Sequence, residues 1–409
     1  MDASGSGKGN TVKYKLASLA AIIAAHTASV CAANDTLTVS GFGTLGAVVT
    51  RSDDLQFRRV GVEAPSTKSV DFAPDSVMGV QTNFRLGDSA EAVLQVVSRE
   101  SPKNNYLPRA SLAFLSYSPS PESTLRMGRL RLPIFMLSDS IDINYAHPWV
   151  RPPVEVYGLS PFSDLDGIDF FFRRRIKDVD VELHPYLGRS RIDIIQTGHS
   201  SLSHLRGLNI GLSSGALTLH AGYARARLDM RWGDPFTKRL LDALHAAPGG
   251  DRIIAKMQGS DAATSFTSAG FQWDGERWLL IGEYAARRAA AFANSANGWH
   301  LTVGRHIGPF TPYLKFARTL QTSPIISDQF TAGQPALQRF NASRNGAQRS
   351  FGAGLRWDLR RDAAFKMEFA RTHIDKDAWG AFFPSRDGAT TRVGDRTINT
   401  LSVSIDVVF

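Results

Sequence analysis

Apolar and polar residues alternate along short runs over most of the chain, most clearly in the last run, Ile398–Phe409. Successive side chains of a β-strand point to opposite sides, so this alternation predicts a strand with one apolar and one polar face. Inside lipid every backbone polar group needs a partner, so such a strand has to pair back to the first strand and close the sheet. The apolar face of this C-terminal assembly strand consists of Leu401, Val403, Ile405, Val407 and Phe409.

The same pattern predicts about 16 strands, an even number that is typical of bacterial membrane barrels. Short turns, such as Asp274-Gly275-Glu276, alternate with long connections, as expected when turns lie on one side of a membrane and long loops on the other. We therefore predict an all-β fold, a transmembrane antiparallel β-barrel over residues 34–409, with long external loops at 226–261, 320–348 and 373–396. The predicted strands are Thr36–Thr50, Ser76–Leu86, Ala90–Arg99, Arg109–Tyr117, Thr124–Arg129, Gly167–Arg173, Val179–Leu187, Leu205–Leu212, Ala216–Arg225, Ser265–Trp273, Arg277–Ala286, Gly298–Arg305, Phe310–Thr319, Arg349–Leu359, Ala364–Thr372 and Ile398–Phe409.

One connection departs from this order, because Leu130–Asp166 follows the fifth predicted strand without a steady period. A structureless segment of this length is uncommon in a compact domain and is usually functional. We predict that residues 130–166 fold inward as a constriction loop. Within the external segment 226–261, the residues Asp234–His245 have helical spacing, with Asp234 as the expected cap and Pro235 in the first turn.

Residues 1–33 have the features of a signal peptide for export. Lys8, Lys13 and Lys15 precede the apolar segment Leu16–Ala25, which is too short to span a bilayer, and Cys31-Ala32-Ala33 supplies a cleavage site. An alternative makes Cys31 a lipoprotein acceptor, but bulky Val30 stands where that signal needs a small residue. Cleavage would leave a mature chain without cysteine, which forms no disulfide in an oxidising compartment.

Composition excludes two classes of protein. The 409 residues carry a net charge of +9, but the basic residues are spread along the chain, so nucleic acid is not an expected partner. No apolar run reaches the roughly 18 residues that a membrane-spanning helix needs.

The sequence carries little sign of catalysis. Gly211–Gly215 matches the Gly-x-Ser-x-Gly pattern by letter, but Leu217–His220 continues as a strand, whereas a nucleophile elbow requires a helix. His199 and His204 are two lone histidines in a serine-rich loop, which do not predict a metal site. We predict a protein that is not an enzyme and uses no cofactor and no metal.

Charged residues of opposite sign surround the predicted constriction loop. Opposed fixed charges in a narrow lumen act strongly on passing solutes because screening is incomplete there. Strict alternation turns Arg126 inward and Arg129 outward, so we expect a bulge or a strand end near Gly128 that brings Arg129 into the lumen. Alternatively, the charges form ion pairs that pin the loop to the wall, and both roles are compatible. The predicted constriction consists of Arg85, Arg99, Arg126, Arg129 and Arg131 on the wall and Asp139, Asp142, Glu155, Asp164 and Asp166 on the loop.

The run Val39-Ser40-Gly41-Phe42-Gly43-Thr44-Leu45-Gly46 resembles the first strand of Gram-negative general porins. Met127-Gly128-Arg129 before a long loop resembles their fifth strand and constriction loop, and Phe409 resembles their assembly signal. Porin loops often carry a Pro-Glu-Phe-Gly-Gly motif, whereas this chain has Pro152-Pro153-Val154-Glu155-Val156-Tyr157-Gly158. The resemblance covers essentially the whole mature chain and implies a homotrimer of 16-stranded barrels in the outer membrane of a Gram-negative bacterium. The implied partners are outer-membrane lipid and lipopolysaccharide, the barrel assembly machinery and small hydrophilic solutes.

The predicted function is passive diffusion of small hydrophilic solutes or ions through an outer-membrane porin. Because basic residues outnumber acidic ones, we expect a mild preference for anions. One alternative is a non-conducting barrel whose external loops bind a partner, as in an adhesin or receptor. A barrel enzyme is the third hypothesis.

Overall fold

The computed structural model describes residues 36–59, 70–102, 105–194, 197–327, 334–384 and 393–409. The predicted signal peptide with Cys31 lies outside the described residues, as do parts of two predicted external loops. The strands are β1 (Leu37–Arg51), β2 (Leu55–Phe57), β3 (Val70–Asp71), β4 (Val77–Arg85), β5 (Ala90–Arg99), β6 (Arg109–Ser120), β7 (Ser123–Arg131), β8 (Asp164–Ile176), β9 (Val179–Asp193), β10 (His199–Ser214), β11 (Leu217–Arg231), β12 (Gly259–Asp274), β13 (Trp278–Ala289), β14 (Ser295–Arg305), β15 (Phe310–Ser323), β16 (Gln348–Arg360), β17 (Ala363–Ile374), β18 (Phe382–Pro384) and β19 (Arg396–Val408). The α-helices are α1 (Val154–Tyr157), α2 (Pro235–His245), α3 (Gly250–Met257) and α4 (Gln334–Ser343).

Sixteen of these strands form a closed antiparallel barrel. Consecutive wall strands pair with each other, and β1 pairs with β4 along one edge and with the last strand, β19, along the other. At this seam Leu45 lies opposite Ile405 and Ala47 opposite Val403. β3 adds two residues beside β1, while β2 and β18 form a separate two-stranded sheet. The predicted fold class, an all-β barrel of about 16 strands, is confirmed.

The wall has an apolar outer face and a polar inner face. On β19, Leu401, Ile405 and Phe409 are 44%, 48% and 53% exposed, whereas the intervening Ser402 and Asp406 are 1% and 0% exposed. An apolar outer face on a closed barrel is the surface that lipid covers. The continuation of this face around the barrel includes Leu115, Met127, Leu208, Tyr223, Trp299, Leu314, Phe351 and Phe369.

The last residue of the chain helps to close the seam. The backbone N–H of Phe409 donates to the carbonyl of Gly41 at 3.0 Å, and the N–H of Gly41 donates to the carbonyl of Phe409 at 2.9 Å. The phenyl ring occupies the space that a Cβ atom on residue 41 would need. The glycine of the first strand and the C-terminal phenylalanine are therefore structurally coupled.

Several strands extend beyond the predicted alternation. β10 begins six residues before the predicted Leu205, and β11 continues to Arg231. The extensions carry exposed charged side chains on the outer face, such as Arg227 and Arg231, and so lack the apolar face that lipid requires. The alternation therefore marked only the lipid-facing part of these strands.

The predicted helix in the first external segment is confirmed as α2. The Asp234 carboxylate caps it by accepting the N–H of Thr237 at 2.9 Å, and Leu240 and Leu244 are buried against α3 and α4. These helices thus form a packed layer at one end of the barrel. No helix in the described part of the chain is long and apolar enough to cross a membrane.

Candidate functional site in the barrel lumen

The segment between β7 and β8 enters the lumen, and we call residues 132–163 the lumen loop. It contains two short 3-10 turns, Ser138–Ser140 and Asn144–Ala146, followed by α1. The predicted loop bounds differ from the observed ones, because Leu130 and Arg131 belong to β7 and residues 164–166 belong to β8. The inward-folded course of the loop after the fifth barrel strand agrees with the prediction.

One side of the lumen loop is fixed to β13–β16 by carboxylates that accept from neutral donors. Glu283 on β13 accepts from the N–H of Met136 at 2.8 Å and from the hydroxyl of Tyr157 at 2.5 Å. Glu155 in α1 accepts from Gln348 and Ser350 on β16, both at 2.7 Å. Glu155 therefore anchors the loop to the wall and faces none of the arginines expected opposite it.

A second set of contacts fixes the loop to β17 and β19. The Lys366 ammonium donates to Asp406 at 2.8 Å, and it also donates to the loop carbonyls of Asn144 at 2.5 Å and Trp149 at 3.0 Å. Lys366 and Asp406 are both fully buried. This pair was detectable in the sequence, because both residues are charged and stand at inward-facing positions of predicted strands. The predicted constriction residues do not include them.

Arg151 adds a third attachment. Its guanidinium donates to Asp75 at 2.6 Å and to Ser402 at 2.8 Å, and it stacks over the ring of Phe57 at 4.4 Å. These contacts join the loop to the connection before β4 and to β19. The sequence-based selection of charges omitted Arg151 and Asp75 as well.

Gly298 on β14 allows the loop to approach the wall, because a Cβ atom there would collide with the carbonyl oxygen of Glu155. We expect Gly298→Ala to displace α1 and to destabilise the barrel by about 1–3 kcal/mol, the usual cost of overpacking. Urea unfolding followed by tryptophan fluorescence measures this. Gly304→Ala on the same strand is the matched control, since its Cβ atom would meet neighbours at 3.4 Å. Equal stability of the two variants would contradict the role assigned to Gly298.

On the opposite side of the lumen, Asp142 of the loop meets two of the predicted arginines. Its carboxylate lies 2.6 Å from the Arg99 guanidinium and 3.0 Å from that of Arg131. Burial raises the pKa of Asp142, but attraction to Arg131 and Arg99 outweighs burial and leaves the pKa below its ordinary value. Asp142 is therefore an anion at neutral pH, held between two cations.

The remaining predicted acidic residues near these arginines lie on the wall. Asp166 on β8 accepts from Arg129 at 2.7 and 3.1 Å, and Asp164 accepts from Arg109 at 2.7 Å. The β7–β8 register is unbroken from Ser123 to Arg131 and β7 ends only at Arg131, so neither the bulge nor the strand end expected near Gly128 is found there. Arg129 needs no such bulge, because Asp166 on the neighbouring strand compensates its charge.

β6 and β7 separate at this place. Their last paired residues toward the loop end are Ala113 and Arg129, beyond which β6 stays with β5 and β7 with β8. Arg129 reaches across to the carbonyl of Ala110 at 3.3 Å. The charged cluster therefore occupies a region where the two strands are no longer joined by a ladder.

Besides Glu155, three predicted residues lie apart from this cluster. Arg126 donates to Asp169 on β8 at 2.9 Å and stacks over Phe171 at 4.5 Å, so it is paired within the wall. Arg85 ends β4 at the short-turn end of the barrel, away from the loop. Asp139 is exposed on the lumen loop and forms no ion pair with any residue of the described ranges.

A cavity of about 710 Å³ lies between the lumen loop and the loop-side ends of β5–β11. Eight arginines and six carboxylates line it. Arg99, Arg129 and Arg131 are among them, together with Asp142, Asp164 and Asp166. The structure thus brings together six of the ten predicted constriction residues around one cavity.

The catalytic pattern noted in the sequence ends a strand. Gly211–Ser214 are the last residues of β10 and Gly215 begins the turn to β11, while the Ser213 hydroxyl lies 3.2 Å from that of Thr218. The ring of His220 contacts Ser268 instead, at 3.2 Å. Among the described residues no group of three or more histidine, cysteine, aspartate or glutamate side chains is placed to hold a metal ion.

No family model and no curated protein matches the chain. Among solved structures, it is similar to the anion-selective porin from Comamonas acidovorans, at a TM-score of 0.53 and 12% identity over 91% of this chain and 100% of that one. It is also similar to the trimer form of OmpT, an outer membrane protein of Vibrio cholerae, at 0.52 and 12% over 92% and 100%. The OmpF of Salmonella typhi, solved in complex with daunomycin, gives 0.51 and 11% over 91% and 97%. These likenesses concern the fold alone, and they agree with the closed antiparallel barrel described above.

Proposed function

We propose that this protein is an outer-membrane porin of a Gram-negative bacterium, a passive diffusion channel for small hydrophilic solutes or ions. The observation that carries the proposal is the asymmetric lumen of a lipid-faced barrel. The lumen loop is fixed to β13–β19, and the space left beside β5–β11 is lined by charged residues. A barrel with a purely structural role would not need a cavity lined by charged side chains beside an inserted loop.

The proposal includes a mild preference for anions. Arginines exceed carboxylates around the cavity by eight to six, and an excess of one sign raises the local concentration of the opposite ion. The pairing of Arg99 and Arg131 with Asp142 keeps the net field modest, which supports a mild rather than strict preference.

The proposed assembly is a homotrimer, inserted by the barrel assembly machinery and surrounded by lipid and lipopolysaccharide. The trimer form of the similar Vibrio cholerae protein supports this state. We propose no catalytic role for this protein. Near the Gly-x-Ser-x-Gly pattern, Ser213 contacts Thr218, whereas His220 contacts Ser268.

Single-channel conductance of the refolded protein in a planar bilayer tests the proposal. We expect stepwise openings in groups of three, and a reversal potential across a salt gradient that shows a preference for chloride over potassium. A preference for potassium would refute the proposed anion selectivity, but the proposal that the protein is a diffusion channel would stand. Silent insertion of correctly folded barrels would refute diffusion.

Silent insertion would favour a second candidate, a barrel whose external loops bind a partner. The packing of α2, α3 and α4 through Leu240, Leu244, Ile253 and Phe340 supports that candidate. A folded external layer offers a defined surface, which an adhesin or receptor requires.

A further inference from the structure

A second cavity adjoins the first along the lumen loop, and its lining is chemically different from that of the first. It has a volume of about 410 Å³, within the roughly 300–1,000 Å³ of typical small-molecule pockets. Its floor is formed by lumen-loop residues, its wall by residues of β9–β16, and its outer boundary by residues at the start of α2 and the end of α4. Most of the lining is apolar, including Phe162, Leu228, Met230, Trp232, Phe266 and Trp379.

Three arginines and one aspartate are the charged residues of this lining. Arg344 is neutralised, because it donates to Asp234 at 2.9 Å and stacks over Trp232. The other two, Arg287 and Arg339, have no carboxylate partner within the described ranges. The cavity is therefore cationic as well as apolar.

Arg287 on β13 is held in place but not neutralised. Its guanidinium donates to the carbonyl of Asn294 at 2.9 Å, to the carbonyl of Leu159 at 2.8 Å and to the side chain of Asn294. A guanidinium has five N–H groups, so two remain for another acceptor. A half-buried cation with only neutral partners is poorly compensated, and a bound anion would offset that cost.

Arg339 on α4 stacks over the ring of Phe236 at 4.9 Å. This contact orients the guanidinium at the edge of the cavity and leaves its N–H groups available. Arg287 and Arg339 thus present donors to one apolar space from two separate elements, the barrel wall and an external helix.

We propose that this second cavity binds an amphipathic organic anion, with a carboxylate or sulfonate on an apolar, ring-containing body. The apolar lining would cover the body, and Arg287 and Arg339 would receive the anionic group. A cation would be repelled by the two guanidinium groups, and a sugar would find too few polar partners on the aromatic and aliphatic walls.

Calorimetric titration of the folded barrel in detergent, against a micelle blank, tests this with 2-naphthoate and its neutral analogue 2-naphthylmethanol. We expect saturable binding of 2-naphthoate and binding of the alcohol that is about tenfold or more weaker, since hydrogen bonds to charged groups are the strong ones. The readout needs no conductance, so failure here is distinguishable from failure of the proposed channel.

Arg339→Gln is expected to weaken 2-naphthoate binding about tenfold or more, by removing a charged donor, and to leave binding of the alcohol unchanged. Arg287→Gln should act in the same way, but it also removes contacts to the lumen loop. Arg288→Gln is the matched control, because this neighbouring side chain is exposed on the other face of β13. Equal affinities for acid and alcohol, or no effect of Arg339→Gln, would overturn the proposal.

Discussion

Replacement of Lys366 by methionine is expected to lower the free energy of unfolding by about 3–5 kcal/mol, the cost of leaving one member of a buried ion pair alone. Asp406 is fully buried, and besides the Lys366 ammonium at 2.8 Å its carboxylate contacts the hydroxyl of Ser404 at 3.5 Å. The substitution also removes the two hydrogen bonds that hold Asn144 and Trp149 of the lumen loop. Urea unfolding of the barrel in detergent measures the loss.

A double variant separates the two causes. Lys366→Met combined with Asp406→Val replaces the pair by apolar side chains, which is often close to neutral. We expect it to recover most of the lost stability, except about 1 kcal/mol for each loop hydrogen bond. Lys177→Met, in the exposed turn between β8 and β9, should change stability by less than about 0.5 kcal/mol. A double variant as unstable as the single one would assign the cost to the loop and not to the stranded carboxylate.

The alternation of side chains predicted which way most wall residues face and where the hairpin turns lie. It did so because lipid imposes an apolar outer face on each strand. Beyond the lipid this constraint ends, and β10, β11 and β12 therefore continue past their predicted ends. The cap of α2 was predictable for a different reason, since Asp234 and Thr237 are local partners.

The partners of the lumen loop were not predictable in the same way. Alternation places Glu283 inside the barrel, but it does not say that Met136 and Tyr157 will reach it across a closed lumen. Glu155 was expected near arginines and meets amide and hydroxyl groups instead. Asp164 and Asp166 pair with arginines of the right kind, yet from β8 and not from the loop. The sequence showed which charged residues lie in and near the loop, whereas the course of the loop determined which of them pair.

Asp142→Asn is expected to shift the ratio of anion to cation permeability toward anions by up to about 25-fold. At about 4 Å in a water-like dielectric, one charge changes the energy of a passing ion by about 1 kcal/mol, or about fivefold, and the change has opposite sign for the anion and the cation. The variant removes the carboxylate that compensates both Arg99 and Arg131. The reversal potential of single channels across a potassium chloride gradient measures the ratio.

The matched control is Asp180→Asn, which makes the same change of charge at the exposed start of β9, next to the turn from β8, where Asp180 lies 3.9 Å from Arg175. We expect that variant to leave the reversal potential unchanged, because the turn is exposed to solvent and screened by salt. If both variants give the same permeability ratio, the field of Asp142 does not reach the permeating ions. Its contacts with Arg99 and Arg131 would then serve to pin the lumen loop, and the selectivity of the channel would have to come from the other charges around the cavity.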